Sequence, residues 1–173
     1  MVDELPDVTI RPATPQDADQ IAAVHVASWR EAYSGVVAED YLAHLDVAAR
    51  AERWRTQLTE DSRRVKVWVA EDEGHIVGFA SLGPSLDDDA ERDTLQIYTI
   101  YLEPASWGRG VARELMRTVL AAVTPGVPVT LWVLEANERA RHFYRRHGFN
   151  PDGVERLEEI GAAQYREIRY RRG

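Results

Sequence analysis

The sequence lacks cysteine: none of its 173 residues carries a thiol. This absence excludes disulfide bonds, metal sites built on thiolates and a cysteine nucleophile. Covalent catalysis on the protein would therefore have to use another nucleophile, such as serine.

Basic residues are also scarce, with 21 lysines and arginines against 29 aspartates and glutamates. The formal net charge of −8 argues against a nucleic-acid partner, because neutralising phosphates requires a basic surface. Cationic partners fit this charge better. The acids concentrate in DDDAERD at 87–93, which we interpret as a solvated loop, with a rim that attracts amines as the alternative.

No apolar run in the sequence is long enough to cross a bilayer. The N-terminal segment MVDELPDV carries acids where a signal peptide carries lysine or arginine. We therefore expect a cytoplasmic protein without a membrane partner. Its 45% apolar and 29% charged residues are typical of a folded protein, and its length suits one domain over 1–173.

The hydrophobic pattern predicts a mixed α/β domain. A strand at 8–11 precedes two helical regions at 14–33 and 38–58, where apolar residues recur at helical spacing. Runs of β-branched and aromatic residues then predict a hairpin and further strands. The predicted series continues with strands at 66–72, 75–83 and 94–104, a helix at 111–123, a strand at 129–135, a helix at 137–148 and strands at 150–160 and 164–171.

The stretch SWGRGVARELM at 106–116 places two glycines directly before a predicted helix. A helix N-terminus presents backbone N–H groups without intrahelical partners, and its dipole favours an anion. Gly108 and Gly110 lack the Cβ that would keep a phosphate off the backbone, while Arg109 and Arg113 add positive charge. A phosphate site and a simple glycine turn fit this stretch equally well. There is no Walker A sequence, and the third glycine of a dinucleotide-binding fingerprint is missing.

A second motif is NERARHFYRRHGF at 137–149. On a helix, Asn137, Ala140 and Tyr144 lie on one stripe, with Asn137 as the cap. Phe143 points about 100° away from Tyr144, so Phe143 can be buried in the core while Tyr144 faces elsewhere.

Together these motifs resemble the GNAT acetyltransferase superfamily, in which a loop Q/R-x-x-G-x-G/A follows a strand ending in proline and a later helix reads N-x-x-A-x-x-x-Y. The matching pieces here are YLEP at 101–104, WGRGVA at 107–112 and NERARHFY at 137–144. The order of elements matches too, so the resemblance covers essentially the whole chain. It implies a single GNAT-like α/β domain whose central sheet is mixed, mostly antiparallel, splayed and made of six to seven strands, flanked by about four helices.

The resemblance implies acetyl-CoA as the cofactor, with its pyrophosphate on 108–113 and its pantetheine arm along 100–102. Trp107 stands where the family usually has glutamine or arginine, so one side-chain contact to the phosphates is expected to be missing. The cofactor-binding residues that the resemblance implies are Ile100, Tyr101, Leu102, Trp107, Gly108, Arg109, Gly110, Val111, Ala112, Arg113, Asn137 and Tyr144.

For catalysis the resemblance implies direct attack by an amine, with Tyr144 serving the leaving thiolate and a backbone N–H near Leu102 holding the oxyanion. A base is also needed, since an alkyl ammonium titrates near ~10.4. Gln96 stands near the position where the family often has glutamate, and glutamine cannot take the proton. We choose Glu135 as the base, with Glu103 and the acids of 87–93 as alternatives.

The leading hypothesis is an N-acetyltransferase for a primary amine of a small molecule or a protein N-terminus. The alternative is a non-catalytic acyl-CoA-binding sensor or regulatory module. Members of the family often dimerise, so a homodimer is an open expectation. The five histidines show no ligand spacing, and we expect no metal. Four aromatic residues of the N-terminal helices are interpreted as core, with a wall for the acceptor as the alternative: Trp29, Tyr33, Tyr41 and Trp54.

Overall fold

A computed structural model describes residues 7–60 and 64–173, so most of the acidic N-terminal segment lies outside the described residues. The strands are β1 (Val8–Pro12), β2 (Lys66–Asp72), β3 (His75–Pro84), β4 (Leu95–Leu102), β5 (Val129–Leu134), β6 (Asn150–Ile160) and β7 (Ala163–Arg172). They form one sheet in the order β1-β2-β3-β4-β5-β7-β6, and β4 with β5 is its parallel pair. This confirms the predicted mixed, mostly antiparallel sheet of six to seven strands.

The described α-helices are α1 (Ala18–Ala32), α2 (Glu39–Ala43), α3 (Val47–Thr59), α4 (Val111–Ala121) and α5 (Glu138–Arg146). There are five rather than about four, because the predicted helical region at 38–58 is divided. α2 ends at Ala43, and Asp46 caps α3 by accepting a hydrogen bond from the Ala49 amide at 3.1 Å. None of the helices in the described ranges combines the length and the apolar character that crossing a bilayer would need.

The helices cover both faces of the sheet. On one face, Ile21 of α1 and Trp54 of α3 pack in a buried cluster with Phe79 of β3. On the other, α4 buries Leu115 and Met116 completely. Complete burial of such a side chain contributes about 2 kcal/mol. The apolar run of β5 is buried because layers lie on both sides of it, as its sequence predicted.

The two central strands diverge soon after they meet. β4 and β5 share two residue pairs, Leu95 with Val129 and Gln96 with Thr130. Beyond them, residues 97–102 of β4 have no pairing with β5. The sheet is therefore open in its middle.

A bulge in β4 accompanies this divergence. Ser81 of β3 lies opposite Thr99, but Leu82 lies opposite Ile97, so Tyr98 is the extra residue. The Tyr98 hydroxyl donates to the carbonyl of Pro84, and its ring covers Gly83. A Cβ at position 83 would lie 2.6 Å from the Tyr98 hydroxyl, so this contact requires glycine.

The acidic segment at 87–93 is a loop whose residues are mostly exposed, which agrees with the interpretation of a solvated loop, and it is also tied to the sheet. The guanidinium of Arg169 on β7 donates to both oxygens of Asp89, at 2.6 and 2.8 Å, and to Asp152 at 2.6 Å. Asp87 accepts from the indole Nε1 of Trp132 at 3.0 Å. Because Arg169 is buried, these carboxylates offset the cost of removing its charge from water.

Candidate active site

The gap between β4 and β5 opens into a cleft with a volume of about 1090 Å³. The start of α4, helix α5, the C-terminal end of α1 and strands β6 and β7 complete its walls. All the residues predicted for cofactor binding line this cleft: Ile100, Tyr101, Leu102, Trp107, Gly108, Arg109, Gly110, Val111, Ala112, Arg113, Asn137 and Tyr144.

At one end of the cleft, the glycine loop leads into the N-terminus of α4. Gly108 and Gly110 have φ angles of 76° and 84°, in the left-handed region that glycine adopts without strain. Nothing lies within 4 Å of the point where a Cβ of Gly108 would stand. The first amides of α4, at Val111 to Arg113, have no carbonyl partners within the helix. This end of the cleft can therefore receive an anionic group against the backbone.

Trp107 holds this loop against β4. Its indole Nε1 donates to the carbonyl of Leu102 at 3.1 Å. The guanidinium of Arg139, on α5, lies 4.4 Å above the centre of the Trp107 ring. Arg139 also lines the cleft, so the tryptophan places a cation beside the loop. The sequence analysis missed Arg139, although this residue belongs to the NERAR motif. Its contact with Trp107 depends on how α5 packs against the glycine loop, which the sequence does not show.

The backbone of β4 presents a donor to the open side of the sheet. The Glu103 amide bonds to Val77 on β3 at 2.9 Å, and backbone groups of successive strand residues point to alternate sides. The N–H of Leu102 therefore faces away from β3. The Leu102 carbonyl faces the same way, since it accepts a hydrogen bond from the Trp107 indole. An unpaired N–H in this position can stabilise a developing oxyanion.

Tyr144 lies in the middle of the cleft on α5. Asn137 begins this helix, accepting from the Ala140 amide at 3.1 Å, and its side-chain amide donates to the Tyr33 hydroxyl at 3.3 Å. Tyr144 is 9% exposed, and burial raises the pKa of its phenol well above the usual value, with further contributions from Tyr101 and Tyr33. The phenol therefore stays protonated at neutral pH and can donate a hydrogen bond.

Aromatic residues of the N-terminal helices form the other end of the cleft. Trp29, Tyr33 and Tyr41 line it, whereas Trp54 belongs to the core between α3 and the sheet. Tyr33 also packs in a buried cluster with Leu134. The core interpretation therefore fits Trp54, the alternative of a wall fits Trp29 and Tyr41, and Tyr33 is both a core residue and part of the wall.

The acids chosen from the sequence lie outside the cleft. Glu135 is not among the lining residues; its carboxylate is about half exposed and lies 3.6 Å from Arg166. Glu103 accepts from the Ser106 hydroxyl at 3.2 Å. Gln96 is buried, and its side-chain oxygen accepts from the Leu86 amide at 3.0 Å. The acids of 87–93 do not line the cleft either.

Four other carboxylates line the cleft instead: Glu31, Glu158, Glu159 and Glu167. Glu167 has 14% of its side chain exposed, against 49% for Glu158. Burial raises the pKa of Glu167, and its hydrogen bond from Arg156 opposes this effect. The sequence analysis missed these residues because β6 and β7 carry many charges and no motif. Within 7–60 and 64–173, no three His, Asp or Glu side chains form a group that could hold a metal.

The chain matches the family model described as Acetyltransferase (GNAT) family over residues 24–149. A probable N-acetyltransferase of Mycobacterium tuberculosis is 31% identical over 150 residues, which are 85% of this chain and 82% of the relative. The uncharacterized N-acetyltransferase YuaI of Bacillus subtilis is 33% identical over 166 residues, 93% of this chain and 90% of the relative.

Solved structures share the fold. The PaiA N-acetyltransferase of Thermoplasma acidophilum, in complex with coenzyme A, superposes with a TM-score of 0.73 at 16% identity, covering 96% of this chain and 98% of that one. A GCN5-related N-acetyltransferase of Rhodopseudomonas palustris gives a TM-score of 0.74 at 22% identity, covering 100% and 98%.

Proposed function

Because this chain belongs to the acetyltransferase (GNAT) family, we propose that it transfers an acetyl group from acetyl-CoA to a primary amine by direct attack in a ternary complex. One observation carries the proposal. A single cleft contains the glycine loop at the start of α4, the unpaired edge of β4 and the buried phenol of Tyr144.

The residues at the glycine loop suit a diphosphate. The amides of Val111 to Arg113 would donate to phosphate oxygens, and Gly108 leaves open space for their approach. Arg109 and Arg113 are exposed beside the loop, and Arg139 is held there by Trp107. Arg139 would supply the side-chain contact that the tryptophan itself lacks.

The open edge of β4 suits an extended amide-containing arm. Residues 100–102 line the cleft where β4 has left β5, so their backbone groups are available as they would be to an added strand. Bound acetyl-CoA would supply a thioester carbonyl as the electrophile. The N–H of Leu102 would hold its oxygen, and the protonated Tyr144 would donate a hydrogen bond to the leaving sulfur.

The other end of the cleft suits a primary amine of a small molecule or a peptide N-terminus. Its aromatic residues Trp29, Tyr33 and Tyr41 offer contact area, and its four carboxylates favour a cation. The absence of cysteine fits direct attack, since no protein thiol can carry the acyl group.

Two measurements test this function. Titration calorimetry with coenzyme A and acetyl-CoA measures donor binding, and a thiol-release assay measures turnover with 2-phenylethylamine, propane-1,3-diamine and a tripeptide with a free amino terminus. We expect binding of both donors and amine-dependent release of thiol. Binding without release from any amine would favour the alternative of a non-catalytic acyl-CoA sensor. Absence of binding by the folded protein would contradict both functions.

A further inference from the structure

Glu167 occupies a special position in the sheet. On β7 it lies opposite Leu134 of β5 on one side and Arg156 of β6 on the other. Leu134 is the last residue of β5, so Glu167 stands where the open part of the sheet adjoins the acceptor end of the cleft. Glu167 is half-buried, whereas the other three carboxylates that line the cleft are exposed.

Arg156 fixes the orientation of this carboxylate. Its Nε donates to Oε1 of Glu167 at 2.9 Å, and its guanidinium lies 4.1 Å above the ring of Trp132. Trp132 is held in turn by its bond to Asp87. One oxygen of Glu167 is thus engaged, while the other, Oε2, has no hydrogen bond among the described residues.

Glu167 is also close to the tyrosines around Tyr144. Its charge acts on the phenols of Tyr33 and Tyr101, and both of these act on Tyr144. These three tyrosines and Glu167 all line the same cleft. The titratable and charged groups that interact with Glu167 are Arg156 and Glu158 on β6, Tyr33 directly after α1 and Tyr101 on β4.

Building on the proposed function, we infer that Glu167, rather than Glu135, binds the ammonium form of the acceptor amine and accepts its proton, with Arg156 as the positioning residue. The carboxylate supplies the negative charge that an ammonium needs, and its burial strengthens this attraction. Glu135 has no such access, because it lies outside the cleft.

The proton balance follows from the charges. The ammonium transfers one proton to the Glu167 carboxylate and becomes a neutral amine, whose lone pair forms the N–C bond as the C–S bond breaks. The nitrogen loses a second proton, and the leaving sulfur gains one, so the products are an amide and a thiol. Glu167 then releases its proton to water. The partial burial of Glu167 raises its pKa, which makes it a stronger base for the first transfer.

The first test is Glu167→Gln, with Glu155→Gln as the matched control. Glu155 is an exposed carboxylate on the neighbouring strand β6 and does not line the cleft. We expect Glu167→Gln to lower kcat/KM for the most active amine of the panel by about 10²- to 10³-fold at pH 7. Coenzyme A affinity should stay within about twofold, and Glu155→Gln should match the wild type in both respects.

The pH profile separates catalysis from structure. Above pH 7 the rate of Glu167→Gln should rise about tenfold per pH unit toward the pKa of the amine, because solvent then removes the proton. In Arg156→Met the acidic limb of the wild-type profile should move to higher pH, because Arg156 lowers the pKa of Glu167. A residue with a merely structural role would change the rate without moving this limb.

Several results would overturn the inference. The inference is wrong if Glu167→Gln turns over as fast as the wild type. It is also wrong if the rate of Glu167→Gln stays low as the pH rises toward the pKa of the amine. If the wild-type protein acetylates no amine of the panel when supplied with acetyl-CoA, and its complex with coenzyme A binds none of them, the inference is also wrong, while measured coenzyme A binding would keep the donor half of the proposed function. Loss of coenzyme A binding by the wild type would contradict the proposed function itself.

Discussion

His25 should make the stability of this protein fall with acid. The imidazole lies on α1, stacked on Tyr101 at 5.0 Å between ring centres and 5.8 Å from Phe79. Its Nδ1 is buried and has no hydrogen-bond partner in the part of the chain that the structure describes, and Nη1 of Arg50 lies 3.5 Å from its Nε2. Burial, with a smaller contribution from the charge of Arg50, lowers the pKa of His25 to about 3.

The size of the effect follows from proton linkage. The pKa of His25 is about 3 in the folded state against 6.5 for an imidazole exposed to water, as in the unfolded chain, so the unfolded chain binds the proton more tightly. The stabilisation is complete above pH 6.5 and is lost as pH falls toward 3. At pH 5 this loss amounts to about 2 kcal/mol of unfolding free energy.

Urea unfolding at pH 8 and pH 5 measures this loss. In His25→Phe the imidazole is gone, so the difference in unfolding free energy between the two pH values should shrink by about 2 kcal/mol relative to the wild type. If the phenylalanine packs less well than histidine, the unfolding free energy falls by the same amount at both pH values. This change therefore cancels in the difference between them. His142→Gln removes an exposed histidine and serves as the control. The reasoning is refuted if His25→Phe and the wild type lose the same free energy.

Three further substitutions test the site and its support. Tyr144→Phe should lower turnover by about 10- to 100-fold and leave acetyl-CoA affinity nearly intact, and unchanged turnover would remove the phenol from the mechanism. Arg139→Gln should weaken coenzyme A binding about 3- to 10-fold by calorimetry, an effect that declines at high salt; equal affinities at low salt would contradict the phosphate contact. Arg169→Met should lower the unfolding free energy by about 3 kcal/mol, because buried Asp87 and Asp152 lose their partner, whereas Arg171→Met, at a more exposed arginine, should cost little.

The order of the elements was predictable because each has a local cause. Hydrophobic spacing identified the strands and most helices, and the glycines before α4 and the asparagine before α5 marked where those helices begin. The division at Asp46 was missed because both segments carry apolar residues at compatible spacing, while the break depends on a capping bond.

The sequence by itself identified the residues at the glycine-loop end of the cleft, where we propose that the donor binds, because they belong to two short motifs whose geometry is set within one or two helical turns. Only the tertiary structure decided which acids line the opposite end, which we propose for the acceptor. Glu135 and Glu167 lie 32 residues apart, and which of them enters the cleft depends on how β7 aligns with β5 and β6. Shifting a strand by one residue turns every side chain to the opposite face, and no local pattern among the charges of β6 and β7 fixes that alignment.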